Sequence, residues 1–327
     1  MERRKVGRTE IDISVIGLGC VTFGREIDEH TSHQVLDYAV EKQINWFDTA
    51  EAYGGGNARQ YRKNFLGVED ERETTGEVGS SEKVLGRWMR ARDCRDQVII
   101  CTKVSSGNSP ENIARALQTS LERLQTDYID IYKFHGPDEK VPIAESLAAL
   151  QEPVEKDVVK TIGASNFSAV QMRQALDASA AGGYARFEIA QPHYNLAAPG
   201  VQEDLFPLCR EEEIAVTPFS PLGAGFLAGK YTPDRDQFPK GSRFDVIPAH
   251  ADDYFSERNF RVVEKLRQKA EEVGLPMVRL AMAWAMTHAD VTSVLVGARR
   301  TEHIDNALEA MHMGLEEGMR AEMSVWD

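Results

Sequence analysis

Four residues, Asp48, Tyr53, Lys103 and His135, are of the types that together move a proton, and each closes or follows a short apolar run. Asp48 ends "NWFD", and Tyr53 follows it just before three glycines. Lys103 comes after "VIICT" and His135 after "IDIYKF". A phenol has a reference pKa near ~10 and donates poorly at neutral pH. A nearby ammonium favours the phenolate and lowers that pKa. A carboxylate paired with the ammonium keeps it charged and in place, and an imidazole can hydrogen-bond a substrate oxygen and orient it. The set suits protonation of a carbonyl oxygen during reduction. Each residue alone has a plainer reading: Asp48 as a helix cap or half an ion pair, Tyr53 as a loop aromatic, Lys103 as a solvated amine, His135 as a satisfied core histidine. Their recurrence at successive strand ends favours the joint one.

Such a set requires strand ends that converge. The apolar runs at 15–18, 45–48, 98–101, 129–134, 161–163, 187–190, 215–218 and 293–296 read as eight strands. Several are nearly all apolar, as parallel strands covered on both faces are. Helical patterns lie between them. "SPENIARALQTSLERL" has a cap at Ser109, Pro110 at the first helical position and a helical apolar period. "SAVQMRQALDASAAGG" starts at Ser168 and stops at a glycine pair. Two further helices follow near the C-terminus. A hairpin, "RRKV" and "IDIS" around Gly7–Glu10, precedes the first strand. Eight β-then-α units predict an α/β fold, a (β/α)8 TIM barrel with an N-terminal β-hairpin, over one domain spanning residues 1–327. A doubly wound open sheet is the alternative; it requires a GxGxxG turn, which "GLGCVTFG" imitates weakly. Two stretches break the rhythm: a polar insertion at 54–79 after the second strand, and a long loop at 228–255 after the seventh. In a barrel both belong to the C-terminal face, where active sites lie.

Composition narrows the function classes. The 327 residues are 42% hydrophobic, enough for a large core, and carry a net charge of -14. That charge disfavours nucleic acid as a partner, so a bound anion needs a local cluster of donors. No apolar stretch reaches the ~18 residues of a membrane span, and the N-terminus lacks the apolar run of a signal peptide. Cys20, Cys94, Cys101 and Cys209 are scattered without a CxxC. They are expected to be reduced thiols of a cytoplasmic protein, with no metal site. Nothing in the sequence specifies an oligomeric state.

The segments "GLGC", "FDTAEAYG", "TK", "IDIYKFHGPD", "IGASNFS", "QPHYN", "TPFSPLGAGFLAGKY" and "VLVGARR" resemble, in order and spacing, the aldo-keto reductase family across nearly the whole chain. The resemblance implies a catalytic tetrad of Asp48, Tyr53, Lys103 and His135, with hydride passing from NAD(P)H to an aldehyde or ketone and Tyr53 giving the proton. It places Ser165, Asn166 and Gln191 on the nicotinamide carboxamide and Phe219 against the ring. Ser220, Leu222, Gly225 and Leu227 fall on the loop around the pyrophosphate. Gly297, Arg299 and Arg300 match the adenosine 2′-phosphate region, so NADPH is expected over NADH. Lys230 and Arg243 match further phosphate-facing positions in some branches. His303 stands where many relatives carry glutamine, and Asn306 one residue before a common asparagine.

The chain departs from the family pattern in two places. Tyr53 and Lys103 are 50 residues apart, farther than usual, because of the insertion. Its first part is basic and aromatic (Arg59, Tyr61, Arg62, Lys63, Phe65) and its second acidic (Glu69, Asp70, Glu71, Glu73, Glu77). The first part reads as a substrate-facing lid or, equally, as a solvated loop or subunit contact. The C-terminal tail is short, as in bacterial-type or potassium-channel-β-like branches. The expected activity is reduction of a carbonyl, a sugar or other polar carbonyl among the candidates. The alternative is a nicotinamide-binding regulatory subunit with little turnover.

Overall fold

The apolar runs pair in parallel because each is buried on both faces and its neighbour in sequence arrives by way of a helix. The computed structural model describes residues 1–56, 63 and 74–327. It opens with the antiparallel hairpin β1 (Arg3–Lys5) and β2 (Asp12–Ser14). Among the described residues, eight parallel strands follow in one sheet: β3 (Ile16–Gly19), β4 (Trp46–Asp48), β5 (Ile99–Val104), β6 (Ile129–Phe134), β7 (Val159–Ser165), β8 (Phe187–Gln191), β9 (Ala215–Val216) and β10 (Val294–Gly297). They run in chain order, and β10 returns to pair with β3, Val294 opposite Ile16. The β9–β10 side is joined by backbone bonds, Thr292 N to Val216 O at 2.8 Å and Leu295 N to Pro218 O at 2.9 Å. The result is the (β/α)8 barrel.

Trp46, Cys101, Ile131, Ile189, Ala215 and Leu295 form one inner cluster with Val6 and Ile13 of the hairpin, which thereby closes the N-terminal end. Gly17 is required beside it: a β-carbon there would come within 2.2 Å of the Trp46 ring. Outside the sheet lie α1 (Glu29–Glu41), α2 (Ser80–Arg92), α3 (Pro110–Leu124), α4 (Ile143–Glu155), α5 (Ala169–Gly182) and α6 (Leu205–Glu211). The short α7 (Arg243–Val246) is followed by α8 (Glu257–Val273), α9 (Met277–Met286), α10 (Thr301–Met313) and α11 (Glu317–Ser324). The predicted starts are those observed. Ser109 caps α3 by accepting from Asn112 N, and Ile113, Leu117 and Leu124 face the core. Ser168 and Gln171 form a reciprocal capping box on α5, and Gly183 ends it at φ 66°.

Two expectations are modified. The run 215–218 is a strand for two residues, since Pro218 has no N–H for a ladder and Ser220 turns at φ 57°. The segment 228–255 is not structureless. It carries α7 and an aromatic cluster in which Tyr231 and Phe244 lie 4.5 Å apart, with Phe238 and Phe255 packed around them. Of the insertion, Arg59, Tyr61, Arg62, Phe65, Glu69, Asp70, Glu71 and Glu73 lie outside the described residues, and the lid reading falls largely on them. Its end is tied to the barrel: Thr74 N donates to Arg25 O at 3.0 Å, and Glu77 pairs with Lys83 at 3.0 Å. No helix among the described residues is long and apolar enough to cross a membrane.

Candidate active site

Asp48 ends β4 with its side chain in the barrel, and Lys103 reaches it from the neighbouring β5. The Lys103 ammonium donates to Asp48 Oδ1 at 2.5 Å and to Thr49 O at 2.7 Å. The same ammonium stands 4.8 Å from the centroid of the Tyr53 ring. The Tyr53 hydroxyl lies 3.4 Å from His135 Nε2, with the two rings edge to face. Ser105 Oγ is 2.6 Å from His135 Nδ1. The fold thus gathers Asp48, Tyr53, Lys103 and His135 at the C-terminal mouth, from the ends of three neighbouring strands and one loop.

Burial and charge compete here. Burial alone would raise the Asp48 pKa, but Lys103 and Lys133 outweigh it and hold the carboxyl below its ordinary value. Burial opposes the charge on Lys103, and Asp48 overcomes it, so the ammonium is held above its usual range. For Tyr53 the balance runs against the sequence argument. Burial is the larger effect and raises the phenol, with Lys103 pulling the other way. Tyr53 therefore keeps its proton at neutral pH, and Lys103 restrains the rise rather than producing a phenolate. His135 is pushed down to about 4 by burial, reinforced by Lys103, and is a neutral imidazole at pH 7.

Beside this group the ends of β7 and β8 present amides and a hydroxyl. Ser165 Oγ donates to Gln191 O at 2.9 Å. Asn166, at φ 61°, donates through Nδ2 to His135 O at 2.8 Å. Gln191 Oε1 accepts from Lys133 at 3.3 Å. Phe219 is half-buried and stacks on His193, with centroids 5.3 Å apart. After it Ser220, Gly223, Ala224 and Gly225 all take positive φ, and the turn is closed on itself by Gly223 N donating to Ser220 O at 2.9 Å and Gly225 N to Leu222 O at 3.0 Å. A β-carbon on Gly225 would meet little but the tip of Lys230, at 3.5 Å. Leu222 is half-buried and Leu227 fully buried beneath the turn.

At the start of α10, Gly297, Arg299 and Arg300 are exposed, and the His303 ring accepts from Arg299 N at 3.3 Å. Arg299 and Arg243 converge on one buried carboxylate, Glu26, at 3.3 and 3.0 Å. Asn306 is engaged within its own surroundings, with Glu302 O at 2.9 Å and Arg279 at 3.4 Å. The amides and hydroxyl at the β7 and β8 ends and the half-buried ring suit an amide-bearing aromatic cofactor.

Sequence reasoning passed over several neighbours. Ser105 follows Lys103 by two positions but carries no motif. Lys133 was legible as a lysine inside the apolar run "IDIYKF". Glu26, and the His193–Tyr254 bond of 2.5 Å joining β8 to the long loop, are tertiary meetings that no local pattern reveals. Among the described residues no group of three metal-binding side chains comes together.

Comparison with known proteins shows the family. The family model described as "Aldo/keto reductase family" matches residues 15–324. "Uncharacterized oxidoreductase YrpG" of Bacillus subtilis is 28% identical over 97% of this chain and 93% of its own. "Probable voltage-gated potassium channel subunit beta" of Arabidopsis thaliana is 28% identical over 95% of this chain and 91% of its own. "NADH-specific methylglyoxal reductase" of Escherichia coli is 28% identical over 97% of this chain and 95% of its own. With a family match of this extent on a barrel of this topology, the chain belongs to the aldo/keto reductase family of NAD(P)H-dependent oxidoreductases.

Proposed function

We propose that the protein reduces an aldehyde or ketone to the alcohol with Tyr53 as proton donor, polar carbonyls such as oxidised sugars being the first substrates to try. The observation that carries this is the Tyr53 hydroxyl, 3.4 Å from His135 Nε2 and beside an ammonium that Asp48 holds in place. A bound reduced nicotinamide supplies the hydride. Neutral His135, its Nδ1 fixed by Ser105, orients the carbonyl oxygen toward the Tyr53 hydroxyl. Tyr53 gives its proton to that oxygen, and Lys103 stabilises the negative charge left on the phenol. Ser165, Asn166 and Gln191 would hold the carboxamide, Phe219 would cover the ring, and the turn from Ser220 to Leu227 would meet the pyrophosphate. Residues 1–327 are read as one barrel domain, and its buried free cysteines suit a reducing, cytoplasmic setting. Ser105→Ala is expected to lower kcat/KM about tenfold, the worth of one orienting hydrogen bond, in steady-state assays. An unchanged value would remove Ser105 from this role.

The same reading takes NADPH as the preferred cofactor, with Arg299, Arg300, His303, Lys230 and Arg243 near the 2′-phosphate and Asn306 toward the adenine. Glu26 already pairs with Arg243 and Arg299, so a 2′-phosphate has to compete with its carboxylate. Glu26→Gln is therefore expected to raise NADPH affinity relative to NADH about tenfold, on the scale of one charge-assisted contact. Titration of both dinucleotides against both proteins reads it; a ratio that stays put argues against a 2′-phosphate at this place. The likeness to the Arabidopsis relative favours a second reading, a nicotinamide-binding regulatory subunit. Tight dinucleotide binding without multiple turnover across a broad carbonyl panel would select it.

A further inference from the structure

Beneath Tyr53 and His135 the barrel holds a second buried lysine that the carbonyl chemistry above does not use. Lys133 lies on β6 directly opposite Lys103 of β5, and its side chain is 0% exposed. Its ammonium donates to Gln191 Oε1 at 3.3 Å and stands 3.6 Å from Asp48 Oδ2. Among the described residues that carboxylate oxygen accepts no hydrogen bond from a nitrogen or oxygen, while Oδ1 is taken by Lys103. On its other side the ammonium faces the Trp46 ring, 5.5 Å from its centroid. A neutral side chain of similar length would fill this space without the cost of burying a charge. One carboxylate therefore serves two ammoniums, and Asp48, Lys103 and Lys133, all buried, together leave one surplus positive charge. His135, neutral at pH 7, adds nothing to it.

Two effects follow from elementary chemistry. A lysine ammonium can only donate, so it fixes the Gln191 amide with Oε1 turned to Lys133 and leaves Nε2 as the group that can meet a ligand. A surplus cation in a poorly screened interior also acts differently on the two redox forms of a nicotinamide, because the oxidised ring is cationic and the reduced ring is neutral.

We propose that Lys133 is a positioning residue that makes the site discriminate between the redox forms of its cofactor: it pins Gln191 and disfavours the oxidised ring. The inference rests on Gln191 being a nicotinamide contact. Its consequence is capture of the reduced form and early release of the oxidised form once the hydride has left.

The test is equilibrium binding, followed by fluorescence, of NADPH, NADP+, NADH and NAD+ to wild type, Lys133→Met and Lys133→Gln. Wild type is expected to bind the reduced form more tightly than the oxidised form, on the order of tenfold for one charge acting through a protein interior. Both variants are expected to bring that ratio toward one. Lys133→Gln, whose amide can still hydrogen-bond Gln191, should keep the affinity for the reduced form, whereas Lys133→Met should weaken it. Equal binding of the two forms by wild type overturns the proposal without any variant. So does a ratio unchanged in either folded variant, or a parallel loss for both forms in Lys133→Gln, which marks a structural role alone. Wild type that binds no dinucleotide strikes instead at the reading of Gln191 and of the whole cofactor site.

Discussion

Tyr53→Phe is expected to lower kcat about a thousandfold, within the range that a positioned general acid contributes, while dinucleotide affinity stays at the wild-type value. The substitution removes one oxygen from the mouth of the barrel. That oxygen lies 3.4 Å from His135 Nε2 and beside the Lys103 ammonium, which Asp48 goes on holding, so the loss of stability should be slight. The phenol is held above its ordinary pKa by burial against the pull of Lys103, which leaves it protonated and near an orienting imidazole. Single-turnover and steady-state assays on the best carbonyl of a panel, beside fluorescence titration, separate chemistry from binding. Turnover within tenfold of wild type would dismiss Tyr53 as the acid.

Asp48→Asn should strike both stability and activity. Lys103 and Lys133 both depend on the Asp48 carboxylate, and removing one partner of a buried ion pair costs about 3–5 kcal/mol. The pH window follows from the shifts. Asp48 is held below its ordinary value, so its contribution is full above the unfolded carboxyl pKa of about 3.9 and is lost as pH falls through the lower folded value. Lys103 is held above its ordinary value. Its contribution is full below an unfolded pKa of about 10.4 and is lost as pH rises through the higher folded value. The stability difference between wild type and Asp48→Asn should therefore be flat between those limits and shrink outside them. Denaturant melts at several pH values measure it; equal stability at pH 7 would refute the shared-carboxylate picture. Lys103→Met is the informative companion, because Asp48 keeps Lys133 and the fold should survive while turnover falls.

The sequence carried the barrel because its signals are local: apolar runs of strand length, Ser109 with Pro110, and Ser168 with Gln171 each announce an element without help from the rest of the chain. The strand-end residues were legible for the same reason, since an acid or a base closing a buried run has few other uses. What escaped depends on which elements meet in space. Lys133 is visible in the sequence, but its sharing of Asp48 with Lys103 needs the register of β5 against β6. Glu26 joins Arg243 and Arg299 across more than two hundred residues. The direction of the Tyr53 shift was misjudged because proximity to a charge can be guessed from strand order, whereas depth of burial cannot.

The pairing of β10 with β3, Val294 opposite Ile16, bears on how the protein is made. On the ribosome the strand that closes the barrel is synthesised some 280 residues after the one it joins. Until it emerges, β3 is an open edge, with unpaired amides and carbonyls flanked by buried apolar side chains. An edge of that kind invites pairing with another chain, and closure across so long a separation is slow. Yield in a heterologous host should therefore depend on temperature and chaperone supply during synthesis more than on the stability of the finished barrel.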